Sequence, residues 1–396
     1  MDSYLSHYRC TMCGKEFEPK VLRYLCDDCS RDYQPGMPLK GVLEAVYNYA
    51  AIAEAWGMQQ DISLFNAVSA QFHPPIPVGN TPYFCAPRMA EQLGLGNIMI
   101  KNDALNPSGS FKDRASFMVV ADAVQKDVHE IVAASTGNAA SSLACIAASV
   151  GKKAVIFAPE AAPPAKLIQI QVHGAELHKV MGTYDDAFKA ALDYSNSHPC
   201  LCRNTGYHPL TVDGKKSSGL EIFMQNGQQV PDWIVVPVGD GVIITGIYKA
   251  FVDLMRAGIT NRLPRLLAVQ AESSDAICSY WENGSYADAR QPDTIADSIS
   301  VTTPALAHWA VQAIKDSNGM AIRVSDAEIQ EAQLELARFA GVFAEPSSSA
   351  TLAGLKKAIG MAKLSAKAGT DEQNAIVLLI TGHGLKDPAS VKSFAQ

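Results

Sequence analysis

From Pro77 onward, short apolar runs alternate with segments whose apolar residues recur every three or four positions. The runs are NIMIKND, EIVAAS, KKAVIFAP, AELHKV, DWIVVPVG, RLLAVQAE and AIVLLITGHG. They lack the strict apolar–polar alternation of a half-exposed strand. They read as strands of parallel sheets covered on both faces. Between them, SFKDRASFMVVADAVQK, TGNAASSLACIAASVG, PAKLIQIQVHG, TYDDAFKAALDYSNS and DGVIITGIYKAFVDLMRAG read as helices, the first with Ser110 as its N-cap. Ahead of Pro77, LKGVLEAVYNYAAIAEAW predicts a helix with Leu43, Val46, Tyr47 and Ala50 on its apolar side. This is an α/β pattern, and ligands in such folds sit where strands end and helices begin.

The chain has 396 residues, too many for one compact core. We divide it into a metal-binding segment over 1–35, a linker and helix over 36–80, a first α/β domain over 81–230 and a second over 231–396. Composition changes this picture little: 48% hydrophobic and 18% charged residues are ordinary for a globular protein. Net charge is −7 with no basic block, so nucleic acid is not an expected partner. The start, MDSYLSHYRC, has no apolar stretch, and no run reaches the roughly 18 apolar residues of a membrane helix. A cytoplasmic protein without membrane contact is the expectation.

Four of the nine cysteines do change the picture. Cys10 and Cys13 form one Cys-x2-Cys pair, and Cys26 and Cys29 form another. Each pair turns two thiolates toward one ion, and two pairs complete a tetrahedral structural zinc site. Gly14 permits the tight turn that follows. A segment this short cannot bury a core, so the metal would supply its folding energy.

Three loops carry candidate chemistry. NPSGSFKDRAS sets Lys112 among small residues at a helix start. ASTGNAAS offers the hydroxyls and backbone N–H groups of Ser135, Thr136, Gly137 and Asn138 to an anion such as a substrate carboxylate. PVGDGVIITG offers Gly239 and Gly241, the N–H groups around Asp240, Val242, Ile243 and Ile244, and the hydroxyl of Thr245 to a phosphate. A lysine for imine formation, a phosphate cradle and a carboxylate site together match pyridoxal phosphate. That cofactor withdraws electrons from the Cα of an amino acid while the protein moves the proton.

NPSGSFKDRAS, ASTGNAAS, PVGDGVIITG, FAEPSSSATLAG and ITGHGLKDP resemble, in order and spacing, the motifs of the threonine synthase family of fold-type-II pyridoxal-phosphate enzymes. The resemblance covers about residues 75 to 390, and the cysteine-rich start is similar to longer microbial members. It implies two doubly wound sheet domains, tryptophan synthase β-like, with the active site in the cleft, plus a small N-terminal zinc ribbon. It implies Lys112 as the Schiff-base lysine and catalytic base, and Asn138 at the cofactor's ring hydroxyl. Ser135, Thr136, Gly137 and Asn138 would hold the substrate carboxylate, and Gly239 to Thr245 the cofactor phosphate. Thr381 would face the ring nitrogen, and Asn204, Thr205 and Asp240 would meet the substrate. By fold-level analogy a homodimer is expected.

The chain departs from the family pattern at three places. Asp240 stands where the family has asparagine, and Ala139 where it has threonine. No arginine lies between Asn204 and Gly214. Lys215 and Lys216 read as surface residues of a helix. Two enzyme readings follow: a threonine synthase acting on O-phosphohomoserine, and a sibling that eliminates or replaces at Cβ of serine, threonine or 2,3-diaminopropionate. A third reading, of another class, is a zinc-ribbon interaction protein with an inactive body. His383 reads as a packed turn residue.

Overall fold

The computed structural model describes residues 3–34, 36–135, 137–160, 164–182, 184–289, 292–364 and 375–394. Its strands, in chain order, are β1 Leu5–Cys10, β2 Glu16–Phe17, β3 Leu43–Tyr47, β4 Tyr83–Cys85, β5 Ile98–Asn102, β6 Glu130–Ala134, β7 Lys153–Pro159, β8 Glu176–Val180, β9 Cys200–Cys202, β10 Trp233–Pro237, β11 Arg265–Ala271, β12 Met320–Val324 and β13 Ile376–Ile380. The α-helices are α1 Tyr49–Met58, α2 Pro87–Leu93, α3 Lys112–Gln125, α4 Asn138–Ala148, α5 Pro164–Val172, α6 Tyr184–Ser197, α7 Leu210–Gln225, α8 Val242–Arg256, α9 Ala276–Asn283, α10 Ala307–Asp316, α11 Asp326–Ala340 and α12 Pro346–Gly360. Contacts divide the chain into two units, each gathered from separate segments. The first comprises Met1–Val78, Lys112–Ser217 and Asp253–Ile259; the second comprises Gly79–Phe111, Ser218–Val252 and Thr260–Gln396.

The first unit holds two sheets. One is parallel, in the order β8-β7-β6-β9. Its apolar strand residues Val132, Val155 and Phe157 bury against Ala187 and Ala191 of α6. The other is antiparallel, in the order β2-β1-β3. Here the helix expected across Leu43 to Ala50 gives way to a strand. Leu43–Tyr47 is buried at every position and pairs with β1, Cys10 opposite Leu43 and Leu5 opposite Tyr47. A strand covered on both faces shows no period of two, so its apolar spacing can imitate a helix. The helix begins only after Asn48, whose side chain accepts the N–H of Ala51 at 3.1 Å.

The second unit holds one six-stranded sheet, β12-β11-β10-β13-β5-β4, parallel except for β4. Val235, Val269, Leu378 and Ile380 share one core with Ile329 and Leu336 of α11 and Leu352 and Leu355 of α12. Each such side chain contributes about 1.5–3 kcal/mol on burial. Gly354 lets α12 lie close on the sheet: a Cβ there would come within 2.3 Å of the Val269 side chain.

Two further expectations are corrected. Helix α3 starts at Lys112, and Ser110 is not its cap but a buried residue bridged to Gly382. Lys215 and Lys216 are not on the surface; both are fully buried. The cause is the packing of α7 on α3, where a Cβ at Gly214 would fall 2.2 Å from the Arg114 carbonyl oxygen. The neighbouring lysines are thereby drawn inside. Lys216 is met there by Asp213 at 2.7 Å, Asp253 at 3.1 Å, the Phe65 carbonyl at 2.9 Å and the face of Tyr47. Among the described residues no helix is long and apolar enough to cross a membrane.

Candidate active site

Lys112 is half-buried and opens α3. The turn directly before it is tied down within the second unit. Gly109 has φ +81° and donates its N–H to the Asn106 carbonyl at 2.8 Å. Its own carbonyl accepts the N–H of His383 at 3.1 Å. Lys386 Nζ donates to the Ser108 carbonyl at 2.8 Å, and Phe111 N–H to the Thr381 carbonyl at 2.8 Å. The residue before the lysine is thus hydrogen-bonded to the residue that directly follows β13.

Thr381 is itself fixed from α12. Ser348 Oγ accepts the N–H of Thr381 at 3.0 Å and of Gly382 at 2.8 Å, and lies 3.0 Å from the Thr381 hydroxyl. Gly382 allows the buried Glu345 carboxylate to press close: a Cβ at 382 would lie 2.2 Å from its Oε1. Sequence reading left Glu345 without a role and passed over Ser348. The signal was the run of three serines opening an otherwise apolar helix. His383 behaves as expected, its Nδ1 accepting the N–H of Leu385 at 3.1 Å inside the turn.

The Gly239–Thr245 segment leads from β10 into α8. At Gly239 a Cβ would come within 2.9 Å of the Ile299 Cα; at Gly241, φ +81°, within 2.9 Å of the Ala310 side chain. Both positions therefore require glycine. The Asp240 carbonyl accepts the N–H of Leu306 at 2.9 Å, and its side chain is partly exposed. Val242, Ile243 and Ile244 are buried and begin α8, whose first-turn N–H groups have no acceptor within the helix. The Thr245 hydroxyl is turned inward and donates to the Gly241 carbonyl at 2.7 Å. The loop therefore presents mainly backbone N–H groups, the donor set suited to a phosphate.

In the first unit, β6 ends at Ala134 and Ser135 follows, buried. Ser135 Oγ accepts the N–H of Gly137 at 3.1 Å, and Asn138 is the first residue of α4. Thr136 lies outside the described residues. Asn204 belongs to the same corner. Its Oδ1 accepts the N–H of Ala134 at 2.8 Å, while its Nδ2 is buried with no partner among the described residues. A buried donor left open beside an anion loop fits an acceptor group on a ligand. Arg203, fully buried, donates to Ser116 Oγ at 3.2 Å and to Thr205 Oγ1 at 2.8 Å, so its guanidinium steadies the turn that carries Asn204.

Cys10, Cys13, Cys26 and Cys29 converge, with all four sulfurs within 4.8 Å of one another and Cys13 and Cys26 at 3.8 Å. Zinc–sulfur bonds of about 2.3 Å in a tetrahedron place neighbouring sulfurs about 3.8 Å apart, so the cluster fits a zinc ion. Gly14, φ +75°, donates to the Cys10 carbonyl at 3.0 Å and forms the expected turn. The Lys15 N–H holds the Cys13 thiol down at about 7, while the hydrogen bond with Cys13 pushes Cys29 up to about 12 and burial raises Cys10.

The family model described as "Pyridoxal-phosphate dependent enzyme" matches residues 76–382. A threonine synthase of Methanosarcina acetivorans is 33% identical over 394 residues, covering 97% of this chain and 93% of that protein. A threonine synthase of Methanocaldococcus jannaschii is 33% identical over 398 residues, covering 96% and 93%. A maize serine racemase structure superposes with a TM-score of 0.68 at 21% identity, covering 88% of this chain and 96% of that one. With the family model matching residues 76–382 and relatives 33% identical across nearly the whole chain, the chain belongs to the threonine synthase family of fold-type-II pyridoxal-phosphate-dependent enzymes and is a pyridoxal-phosphate-dependent lyase.

Proposed function

We propose that this lyase is a threonine synthase, converting O-phosphohomoserine and water to threonine and phosphate. The observation that carries the reading is the identity to threonine synthases of 33% across nearly the full chain. When bound, pyridoxal phosphate draws electrons from the substrate's Cα and so eases loss of its proton and of a leaving group along the side chain. Lys112 holds the cofactor before the substrate arrives and then takes and returns the Cα proton as general base. The N–H groups of Gly239 to Ile244 hold the cofactor's phosphate. Thr381, aimed by Ser348, would present a neutral hydroxyl to the cofactor's ring nitrogen. Ser135, Thr136, Gly137 and Asn138 take the substrate carboxylate. Asn204 Nδ2 and the Thr205 hydroxyl, braced by Arg203, donate to oxygen atoms of the substrate's other end. Zn²⁺ at the four cysteines is structural.

A second reading is favoured by Asp240 and by the arginine-free stretch from Asn204 to Gly214. A carboxylate near a dianionic substrate opposes its binding. In this reading the enzyme eliminates ammonia from serine, threonine or 2,3-diaminopropionate. One experiment separates the two. The purified holoenzyme is mixed with each compound, and phosphate, threonine, keto acid and ammonia are measured. Phosphate and threonine from O-phosphohomoserine support the first reading. Silence there, with keto acid and ammonia from an unphosphorylated amino acid, establishes the second.

A further inference from the structure

Within the first unit, a cavity of about 610 Å³ opens between the cysteine-bearing segment and helix α6. Its volume is that of a small-molecule site. It lies among residues that no step above uses. One wall is aromatic: Tyr24 and Tyr207 stack at 4.7 Å between ring centroids, inclined by 25°. Leu22 and Leu192 add apolar surface. The opposite wall, on α6, carries Lys189 and Asp193. These stand one helical turn apart and have opposite charge. Neither makes an ion pair with the other or with any other described residue. Two further charged residues of the lining are already paired, Arg23 bonding to Asp27 and lying over the Phe17 ring. The cavity therefore offers one uncommitted ammonium and one uncommitted carboxylate beside a stacked aromatic wall.

The geometry points to a second ligand site here, for a zwitterion with an apolar body: a free α-amino acid. Its carboxylate meets Lys189, its ammonium meets Asp193, and its side chain covers the tyrosines. The site bears on the turn already described. Tyr24 Oη accepts the N–H of Cys202 at 2.8 Å, and the Tyr207 N–H donates to the Asn204 carbonyl at 3.1 Å. An occupant that presses on either ring acts on Asn204 and Thr205. This link rests on the substrate role proposed for Asn204; the site itself does not.

The test uses the metal-loaded holoenzyme and calorimetric titration with L-phenylalanine, phenethylamine and 3-phenylpropanoate, with the cofactor's absorbance followed in parallel. Binding that alters the absorbance belongs to the active site and is set aside. The expected result is saturable phenylalanine binding without absorbance change, about two- to fivefold tighter than that of either analogue lacking one charge. Lys189→Ala should then bind phenylalanine and phenethylamine alike, and Asp193→Ala should bind phenylalanine and 3-phenylpropanoate alike. Both side chains are exposed, so neither variant threatens folding. Absence of such binding, or binding unchanged in both variants, overturns the site. Elimination activity without second-site binding refutes this inference and leaves the proposed function standing; binding by a protein inert toward O-phosphohomoserine does the reverse.

Discussion

At the scale of single residues, Lys112 and Ser348 separate chemistry from positioning. Lys112→Ala removes the amine that we propose holds the cofactor and moves the proton. It should abolish the absorbance band near ~410–420 nm and lower turnover by about 10²–10⁴-fold or more. Ser348→Ala leaves the N–H groups of Thr381 and Gly382 without their acceptor. It should keep the band but lower kcat on the order of tenfold, because Thr381 is no longer aimed. A variant as active as the parent would show that Ser348 only packs. His208 tests acid behaviour. Burial pushes its imidazole below the ordinary value of 6.5, the Asp122 carboxylate 3.5 Å away opposing this only in part. The unfolded chain takes up a proton near 6.5 that folded His208 refuses, so stability falls as pH drops below that value. His208→Gln removes this contribution. The gap in Tm between parent and variant should therefore narrow from pH 7 to pH 5.

At the scale of elements, two glycines in helices have opposite fates. Gly214 in α7 has the Arg114 carbonyl of α3 2.2 Å from a Cβ position, and backbone cannot step aside cheaply. Gly214→Ala should destabilise by about 1–3 kcal/mol. Gly57 in α1 has nothing within 4 Å of that position, and Gly57→Ala should stabilise by up to about 1 kcal/mol through helix propensity alone. Thermal denaturation of the two variants reads both signs. The same contrast explains what the sequence made legible. Strands such as Trp233–Pro237 and Ile376–Ile380 stood out because every residue is apolar and helices flank them. Lys112 stood out because its small neighbours have no other reason to precede a helix. Leu43–Tyr47 was misread because a strand covered on both faces carries no period. Lys215 and Lys216 were misread because burial on α7 is set by packing, and the carboxylates that receive Lys216, Asp213 and Asp253, are brought together by α7 and α8. Ser348 went unseen because its partners, Thr381 and Gly382, lie more than thirty residues away. Local pattern shows an element; it does not show which distant polar group awaits a buried side chain.

At the scale of the whole molecule, the four-cysteine segment is built into the first unit rather than appended to it. Cys10 ends β1, and β1 pairs with β3 along its length. At the far end of β3, Tyr47 Oη donates to Asp213 Oδ1 at 2.7 Å, and Asp213 in turn holds Lys216. From just before Cys26, Tyr24 reaches the N–H of Cys202. Two routes therefore run from the four cysteines into the interior of that unit. A zinc ion that fixes the cysteines stabilises everything these routes support, since metal affinity adds directly to folding free energy. The purified protein should contain one zinc per chain. Removing it with a strong chelator should lower Tm and speed amide exchange in two places, across residues 5–47 and across 200–217. Strands β10, β11 and β13 belong to the other unit and should keep their protection. Faster exchange confined to residues 10–42 would mean that the two routes transmit nothing and that the metal serves its own turn alone. Cys26→Ser, which removes one ligand without a chelator, should reproduce the same pattern, and restored zinc should reverse it only in the parent.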